Sequence, residues 1–367
     1  MTDAPAQDAP PHGGLHASAQ PLVAAFDVAL LDVDGVCVRG GEPVEQAPEA
    51  LAAARSAGLR TVFVTNNASR VPDAVAEKLS RAGIPTDAGD VTTSSQAAAA
   101  LLAEDLPAGS LVLAVGGHGL RAALTEAGFR LAADADERPG AVVQGFGPEV
   151  GWRDLTEAAL AVGAGARYLA TNLDATLPME RGPALGNGSL VAAVTHATGV
   201  VPDSAGKPRA AIFRQAAARA AARRPLVVGD RLDTDLAGAR AAGYPGLHVL
   251  TGVDDARAVV LATPDRRPSF LAADLRGLAE PHPAPVRADD GWWSCGSAAA
   301  RYTGGPAPLE MRDGGGTQPV GPEVVDGALP VSLDALRCLA TAAWDAADTG
   351  EVSTRGHLPL LRVAAPR

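Results

Sequence analysis

The sequence predicts an α/β protein built on a doubly wound parallel sheet. Three observations carry that expectation. Short apolar runs rich in Val and Leu recur along the chain, as strands buried on both faces do. Between them lie Ala-rich stretches of helical length, most of them stopped by a glycine, and this alternation builds parallel sheets. Several apolar runs also end abruptly in charged or amide residues. Such residues belong beyond the carboxyl ends of strands, where an α/β sheet opens its binding crevice.

The elements follow in order. Residues 1–24, rich in Ala, Pro, Gly and His and without a period, are expected to be a disordered tail. A strand over 28–33 precedes a loop and a helix from Pro48 to Ala57, closed by Gly58. Leu59–Val64 is the second strand and Asp73–Ala82 the next helix, stopped by Gly83. Residues 91–200 repeat the rhythm, with helices over Ser95–Glu104, Leu120–Ala127, Leu155–Val162 and Ser189–Ala197, and strands over Leu111–Val115, Ala141–Phe146 and Tyr168–Thr171. This second α/β unit is either continuous with the first sheet or inserted into it; periodicity leaves both open. The pattern resumes with a helix over Arg209–Ala222, a strand over Pro225–Val228, a helix over Thr234–Ala242 and a strand over Leu247–Leu250. Rising Pro and charge density from Pro264 to Asp290 marks a boundary. Beyond it lies one amphipathic helix, with Ser332 as N-cap and Leu333, Leu336, Leu339, Ala340 and Trp344 at helical spacing, then a closing strand over His357–Val363.

Composition narrows the function. At 47% hydrophobic residues the chain can bury a sizeable core. Its net charge of −11 argues against a nucleic-acid or acidic-membrane partner, so a negative substrate needs a local positive site. Cys37, Cys295 and Cys338 are too few and too scattered for a disulfide framework or a zinc site, and Cys37 is expected to be a buried, inert thiol. No apolar run approaches the ~18 residues that span a membrane. The first residues lack the basic and apolar regions of a secretory signal, and the expected location is the cytoplasm.

Four strand ends carry the chemistry. Asp32 and Asp34 follow the first strand, Thr65-Asn66-Asn67 the second, Lys207 stands in Ala205-Gly206-Lys207-Pro208, and Gly229-Asp230-Arg231-Leu232-Asp233-Thr234-Asp235 follow the 225–228 strand. Each has an ordinary reading. Asp32 and Asp34 could be solvated junction acids, Thr65 a turn residue, Lys207 a surface lysine, and Asp230 to Asp235 caps and first-turn acids of the next helix. Together they supply carboxylates for a hard cation, a lone positive charge, hydroxyl and amide donors, and a nucleophilic carboxylate, the set that phosphoryl transfer needs.

The order D-x-D-G, T-N-N, G-K-P and G-D-R-L-x-T-D resembles the haloacid-dehalogenase superfamily of phosphohydrolases. The resemblance covers residues 25–280, and the long α/β stretch between T-N-N and G-K-P looks like the C2-type cap of its phosphoglycolate and p-nitrophenyl phosphate phosphatase group. Val64-Thr65-Asn66-Asn67-Ala68-Ser69-Arg70 and Asn172-Leu173-Asp174-Ala175-Thr176-Leu177-Pro178, with the appended C-terminal segment, look most like the actinobacterial glycerol 3-phosphate phosphatases. The resemblance implies a Rossmann-like hydrolase core over 25–94 and 201–280, an inserted cap over 95–200, and a small α+β C-terminal extension over 281–367. It implies Mg²⁺, with Asp32 as nucleophile forming an aspartyl-phosphate and Asp34 as proton donor and then acceptor. Thr65, Asn66 and Lys207 would bind phosphate. Asp32, Asp230 and the main-chain oxygen of Asp34 would hold the metal, with Asp233 and Asp235 orienting metal waters and Lys207.

Substrate choice is expected in the cap, from Asn172, Asp174 and the 181–189 loop with Asn187. The helix opened by Asn187-Gly188-Ser189 would face an anion or polyol hydroxyl, unless it is an ordinary capping turn. His118 is read as a loop histidine, and Trp152 and Arg153 as structural. The C-terminal segment resembles an acetyltransferase-like extension but lacks a glycine-rich cofactor loop, so packing or homodimer contact is expected of it rather than acetyl transfer. The expected substrate is a small phosphorylated metabolite, glycerol 3-phosphate first, with phosphoglycolate or a broad range that includes p-nitrophenyl and pyridoxal phosphates as the alternative. A dehalogenase would have no use for Asp34, and a phosphomutase of this superfamily normally carries a smaller helical cap. An inactive binding or scaffold protein on the same fold is the reading from another class; it is disfavoured because no motif residue is missing.

Overall fold

Four strands, Val28–Leu31, Pro225–Gly229, Gly246–Val249 and Phe270–Ala272, lie side by side in that order and all run parallel. Every residue in them is buried, which is why they read as nearly unbroken apolar runs instead of alternating ones. They come from a computed structural model that describes residues 14–179, 181–304, 308–321, 327–350 and 358–363. The chain divides into two units, Met1–Arg60 with Arg223–Arg367, and Thr61–Ala222. The four strands belong to the first. Leu31 stands opposite Val228, and Asp32 N donates to Val228 O at 2.9 Å, so Asp32 and Asp230 leave two neighbouring strands at the same end.

Strand Arg60–Thr65, in the second unit from Thr61 onward, pairs in parallel with Val91–Thr93. A five-stranded parallel sheet runs in the order Asp203–Ser204, Arg167–Ala170, Ala141–Gln144, Leu111–Val115, Arg130–Ala132. Helices Trp152–Gly163 and Asn187–Thr198 bury Ala158, Val162, Val191 and Val194 against Val142 and Tyr168 of that sheet. An antiparallel hairpin, Thr176–Met179 with Gly182–Leu185, follows the 167–170 strand and exposes Met179 and Leu185. The parallel α/β class expected from sequence is the class observed, and most helices lie within two or three residues of their expected bounds.

Four expectations need correction. The tail does not run to residue 24. From Gly14 onward the chain is ordered: His16 N donates to Ser269 O, Ser18 and His282 exchange backbone hydrogen bonds, and Leu15 and Leu22 are buried. Two apolar anchors in a polar stretch tie it down without producing any period. The 264–290 region is more than a boundary, because it contains the buried strand 270–272, too short to register as a pattern. The helix expected over 234–242 is instead a π-turn, Leu232–Leu236, leading into a short helix, Ala237–Ala242. Trp152 begins its helix 82% exposed, so it is not a buried packing residue.

The C-terminal segment is α+β, as expected. Five antiparallel strands, Val286–Arg287, Trp293–Cys295, Ala298–Tyr302, Leu309–Asp313 and Gln318–Val320, form a meander. Helix Leu333–Asp348 packs on it, capped by Ser332 Oγ, which accepts from Ala335 N at 3.0 Å. The closing strand is Leu361–Val363, paired in parallel with Leu329–Val331; His357 lies outside the described residues. The amphipathic face found in the sequence is occupied within the chain. Leu336, Leu339, Ala343 and Trp344 share one core with Leu232, Leu236, Val259, Val260 and Leu271. Buried Arg267 fastens it by two hydrogen bonds of 2.6 and 2.9 Å to Asp348, with its guanidinium 5.3 Å over the Trp344 ring.

Candidate active site

Each unit carries its own part of the expected chemistry. In the first, the strand ends at 31 and 229 and the π-turn bring Asp32, Asp230 and Asp235 together. All three are buried, and one carboxylate oxygen from each lies within 4.8 Å of the others. At that spacing like charges repel by roughly 3 kcal/mol per pair at an effective dielectric constant near 20. Three such acids in a buried pocket call for a positive counterpart, and an all-oxygen donor set suits a hard divalent cation. The residues present therefore fit Mg²⁺. The sequence reading had Asp235 only orienting water and lysine; the π-turn turns its carboxylate into the cluster itself, while Arg231 N donates to its Oδ2 at 3.2 Å. Asp233 points elsewhere. It is exposed and gripped by the Arg231 guanidinium at 2.9 and 3.1 Å.

Asp34 is exposed on the turn that follows Asp32. Gly35 N donates to Val38 O at 2.7 Å and closes that turn. Gly35 has φ of +93°, and a methyl there would lie 2.7 Å from Asp230 Cγ, so only glycine fits. Cys37 is buried, with its thiol 3.3 Å from Asp32 O.

A loop after the 246–249 strand wraps the same acids. Thr251 Oγ1 donates to Gly35 O at 2.7 Å, Val253 N to Asp230 Oδ2 at 2.7 Å, and Asp254 N to Asp230 O at 3.1 Å. The Asp254 carboxylate accepts from Leu232 N at 2.6 Å, and burial pushes its carboxyl upward from the usual range. Fully buried His248 lies under the loop, with Nε2 3.1 Å from Asp254 O, and burial pushes its pKa down to about 4.

In the second unit the expected phosphate and cap residues meet. Thr65 and Lys207 are buried, and Lys207 Nζ donates to Val64 O at 3.3 Å. Asn66 ties the segments together: Lys207 N donates to its Oδ1 at 2.8 Å, and its Nδ2 donates to Lys207 O and to Asp174 Oδ2, both at 3.1 Å. Asn172 and Asn187 are buried. Asn172 Nδ2 donates to Asn66 O at 2.8 Å, and Asn187 Nδ2 to Asn172 O at 2.7 Å and Gln144 O at 3.3 Å. At the helix opening, Gly188 N donates to Asp174 O and Ser189 Oγ to Ala175 O. The first turn of that helix thus holds the 172–175 segment. His118 opens its own helix, exposed.

The sequence pattern of the haloacid dehalogenase-like hydrolases matches residues 29–130, and an HAD-hydrolase-like pattern matches residues 204–278. The D-glycerol 3-phosphate phosphatase of Mycobacterium tuberculosis is 43% identical over 324 residues, which are 87% of this chain and 86% of that protein. The chain belongs to the haloacid dehalogenase-like hydrolases. A crystal structure of glycerol phosphate phosphatase from the same organism, in complex with magnesium, superposes with a TM-score of 0.77 at 42% identity, over 89% of this chain and 92% of that one. Shorter relatives match less of it. The acid sugar phosphatase of Staphylococcus saprophyticus is 37% identical over 62% of this chain and 88% of its own. The 4-nitrophenylphosphatase of Thermotoga maritima is 27% identical with a TM-score of 0.65, over 70% of this chain and 98% of its own.

For this haloacid dehalogenase-like hydrolase, the residues that sequence reasoning missed are Thr251, Gly252, Val253, Asp254 and His248. The signal was available. Thr251-Gly252-Val253-Asp254 is a fifth polar strand end, after the Leu247–Leu250 run, of the kind that marked the other four.

Proposed function

We propose that the protein is a Mg²⁺-dependent phosphomonoesterase whose substrate is glycerol 3-phosphate. The observation that carries this reading is the buried group of Asp32 and Asp230, at the ends of parallel strands, with Asp235 of the π-turn. The magnesium-bound relative and the glycerol 3-phosphate phosphatase at 43% identity support the cofactor and the substrate. Asp32, Asp230, Asp235 and the main-chain oxygen of Asp34 would hold the cation, which offsets charge on the phosphate oxygens when bound.

Asp32 attacks phosphorus as the ester P–O bond breaks, giving an aspartyl-phosphate. Asp34, exposed to solvent, donates a proton to the departing alkoxide. It then takes one from the water that attacks phosphorus and releases Asp32 with inorganic phosphate. Thr65, Asn66 and Lys207 hold the phosphoryl oxygens. Asp174, whose carboxylate is held at 3.1 Å by the Nδ2 of the phosphate-binding Asn66, is the cap residue assigned to the leaving group. Asn172 and Asn187 position that segment.

The domain reading carried forward is a core over 25–94 and 201–280, a cap over 95–200 and an extension over 281–367. The acidic net charge supports action on a free metabolite rather than nucleic acid or membrane. The three cysteines are buried, and the location carried forward is the cytoplasm. No helix among the described residues is long and apolar enough to cross a membrane. Homodimer contact stays one of the two roles proposed for the C-terminal segment, beside packing within the chain, and sedimentation tests it. The acid sugar and 4-nitrophenyl phosphatases in the family favour a broader substrate range as the second reading. The test is Asp32→Asn, which keeps shape but removes the nucleophile: turnover should fall by at least about 10⁴-fold with thermal stability near that of the unchanged protein. Retained turnover would overturn the assignment.

A further inference from the structure

We propose that the 251–254 loop is a strap that fixes the acid cluster in its metal-binding geometry, with Asp254 and His248 as its positioning residues. The inference rests on the metal-dependent reading given above. The loop reaches every segment that bears a cluster acid. Thr251 Oγ1 holds Gly35 O, beside Asp34; Val253 N holds Asp230 Oδ2; Asp254 N holds Asp230 O; and the Asp254 carboxylate holds Leu232 N, the first residue of the π-turn that carries Asp235. The Val253 side chain is 70% exposed, so this residue serves the site through its N–H.

The strap is itself pinned from the sheet. His248 stands on the 246–249 strand between two neighbours, fully buried and neutral. A carbonyl oxygen can only accept, so the neutral ring donates from Nε2 to Asp254 O. One end of Asp254 is thereby fixed by the sheet and the other by the π-turn. Every one of these loop contacts goes to a segment that bears a cluster acid, so the strap acts through metal affinity.

The experiment is calorimetric titration of Mg²⁺ into the full-length protein, with phosphate release measured in parallel. Asp254→Ala should weaken Mg²⁺ binding by about 10- to 100-fold, as loss of a group that orients metal ligands does, while KM for glycerol 3-phosphate at saturating Mg²⁺ stays within about twofold. Asp254→Asn keeps an oxygen for Leu232 N and should recover binding to within about threefold of the unmodified protein. His248→Leu, of similar volume, serves if Asp254→Ala does not fold; it should weaken Mg²⁺ binding by at least about threefold. An Asp254→Ala or His248→Leu protein that binds Mg²⁺ as tightly as the unmodified one overturns the strap. So does an Asp254→Asn protein as impaired as Asp254→Ala, since charge and not position would then be at work. If the unmodified protein itself neither binds Mg²⁺ nor releases phosphate in a Mg²⁺-dependent way, it is the underlying metal-dependent reading that fails.

Discussion

Gly252→Ala is a one-methyl perturbation with a large consequence. A methyl group there would lie 2.5 Å from Asp230 Cβ and closer still to the carboxylate. Real carbon–carbon contacts settle near ~3.5 Å, so the Asp230 side chain and the loop must part by about 1 Å or more. Mg²⁺ accepts oxygen ligands only near ~2.1 Å, and metal sites tolerate errors of about 0.2 Å. A shift of that size therefore removes Asp230 from the metal's reach. Misplacement by 1 Å can cost about 10²-fold in rate, and overpacking a filled site costs about 1–3 kcal/mol of stability. We expect kcat to fall at least about 100-fold at ordinary Mg²⁺, with partial recovery as Mg²⁺ is raised and only a modest loss in thermal stability. Steady-state phosphate release across a Mg²⁺ series, with thermal melts as control, gives the answer. A Gly252→Ala enzyme with unchanged kcat and unchanged Mg²⁺ dependence would refute the claim that Asp230 is held there as a ligand.

Two further outcomes follow from buried ionisable groups. His248 has its folded pKa lowered to about 4, below its ordinary 6.5, so the unfolded chain binds the extra proton between those values. Its contribution is complete above pH 6.5 and is lost as pH falls, by roughly 2 kcal/mol between pH 7 and pH 5. Burial lowers His16 and His282 as well, with the same sign. The comparison is therefore denaturant unfolding of the unmodified and His248→Leu proteins at both pH values, and equal pH slopes would contradict the assignment. Arg267→Ala strips Asp348 of its bidentate partner and should cost about 3 kcal/mol, the low end for a broken buried pair because Asp348 keeps some contact with water. A loss under 1 kcal/mol in urea unfolding would show that the C-terminal helix is fastened by its apolar face alone.

Much of the framework was legible in sequence because its signals are local. The buried strands 28–31 and 225–229 announce themselves as apolar runs, and Ser332 as a cap before a periodic helix. Asp32 and Asp230 stand out as charges at the ends of apolar runs, and Lys207 as a lone cation just before a helix, where the dipole disfavours it. What failed to show depends on contacts between distant segments. Nothing in the 14–25 composition says that His16 will bond Ser269 or that Leu15 will find a core. Helical periodicity over 234–242 conceals the extra residue of the π-turn, which decides that Asp235 faces the cluster and Asp233 faces Arg231. Asn187 at a helix start looked available for a ligand, yet its amide is consumed by carbonyls of residues 144 and 172.

The comparison of kcat/KM for glycerol 3-phosphate, phosphoglycolate and pyridoxal phosphate, with Mg²⁺ and with EDTA, tests the central claim most directly. The account predicts phosphate release that EDTA abolishes, with glycerol 3-phosphate preferred by about tenfold or more, the discrimination that one or two well-placed polar contacts supply. Release undiminished by EDTA, or none from any of the three esters with Mg²⁺ present, would contradict it.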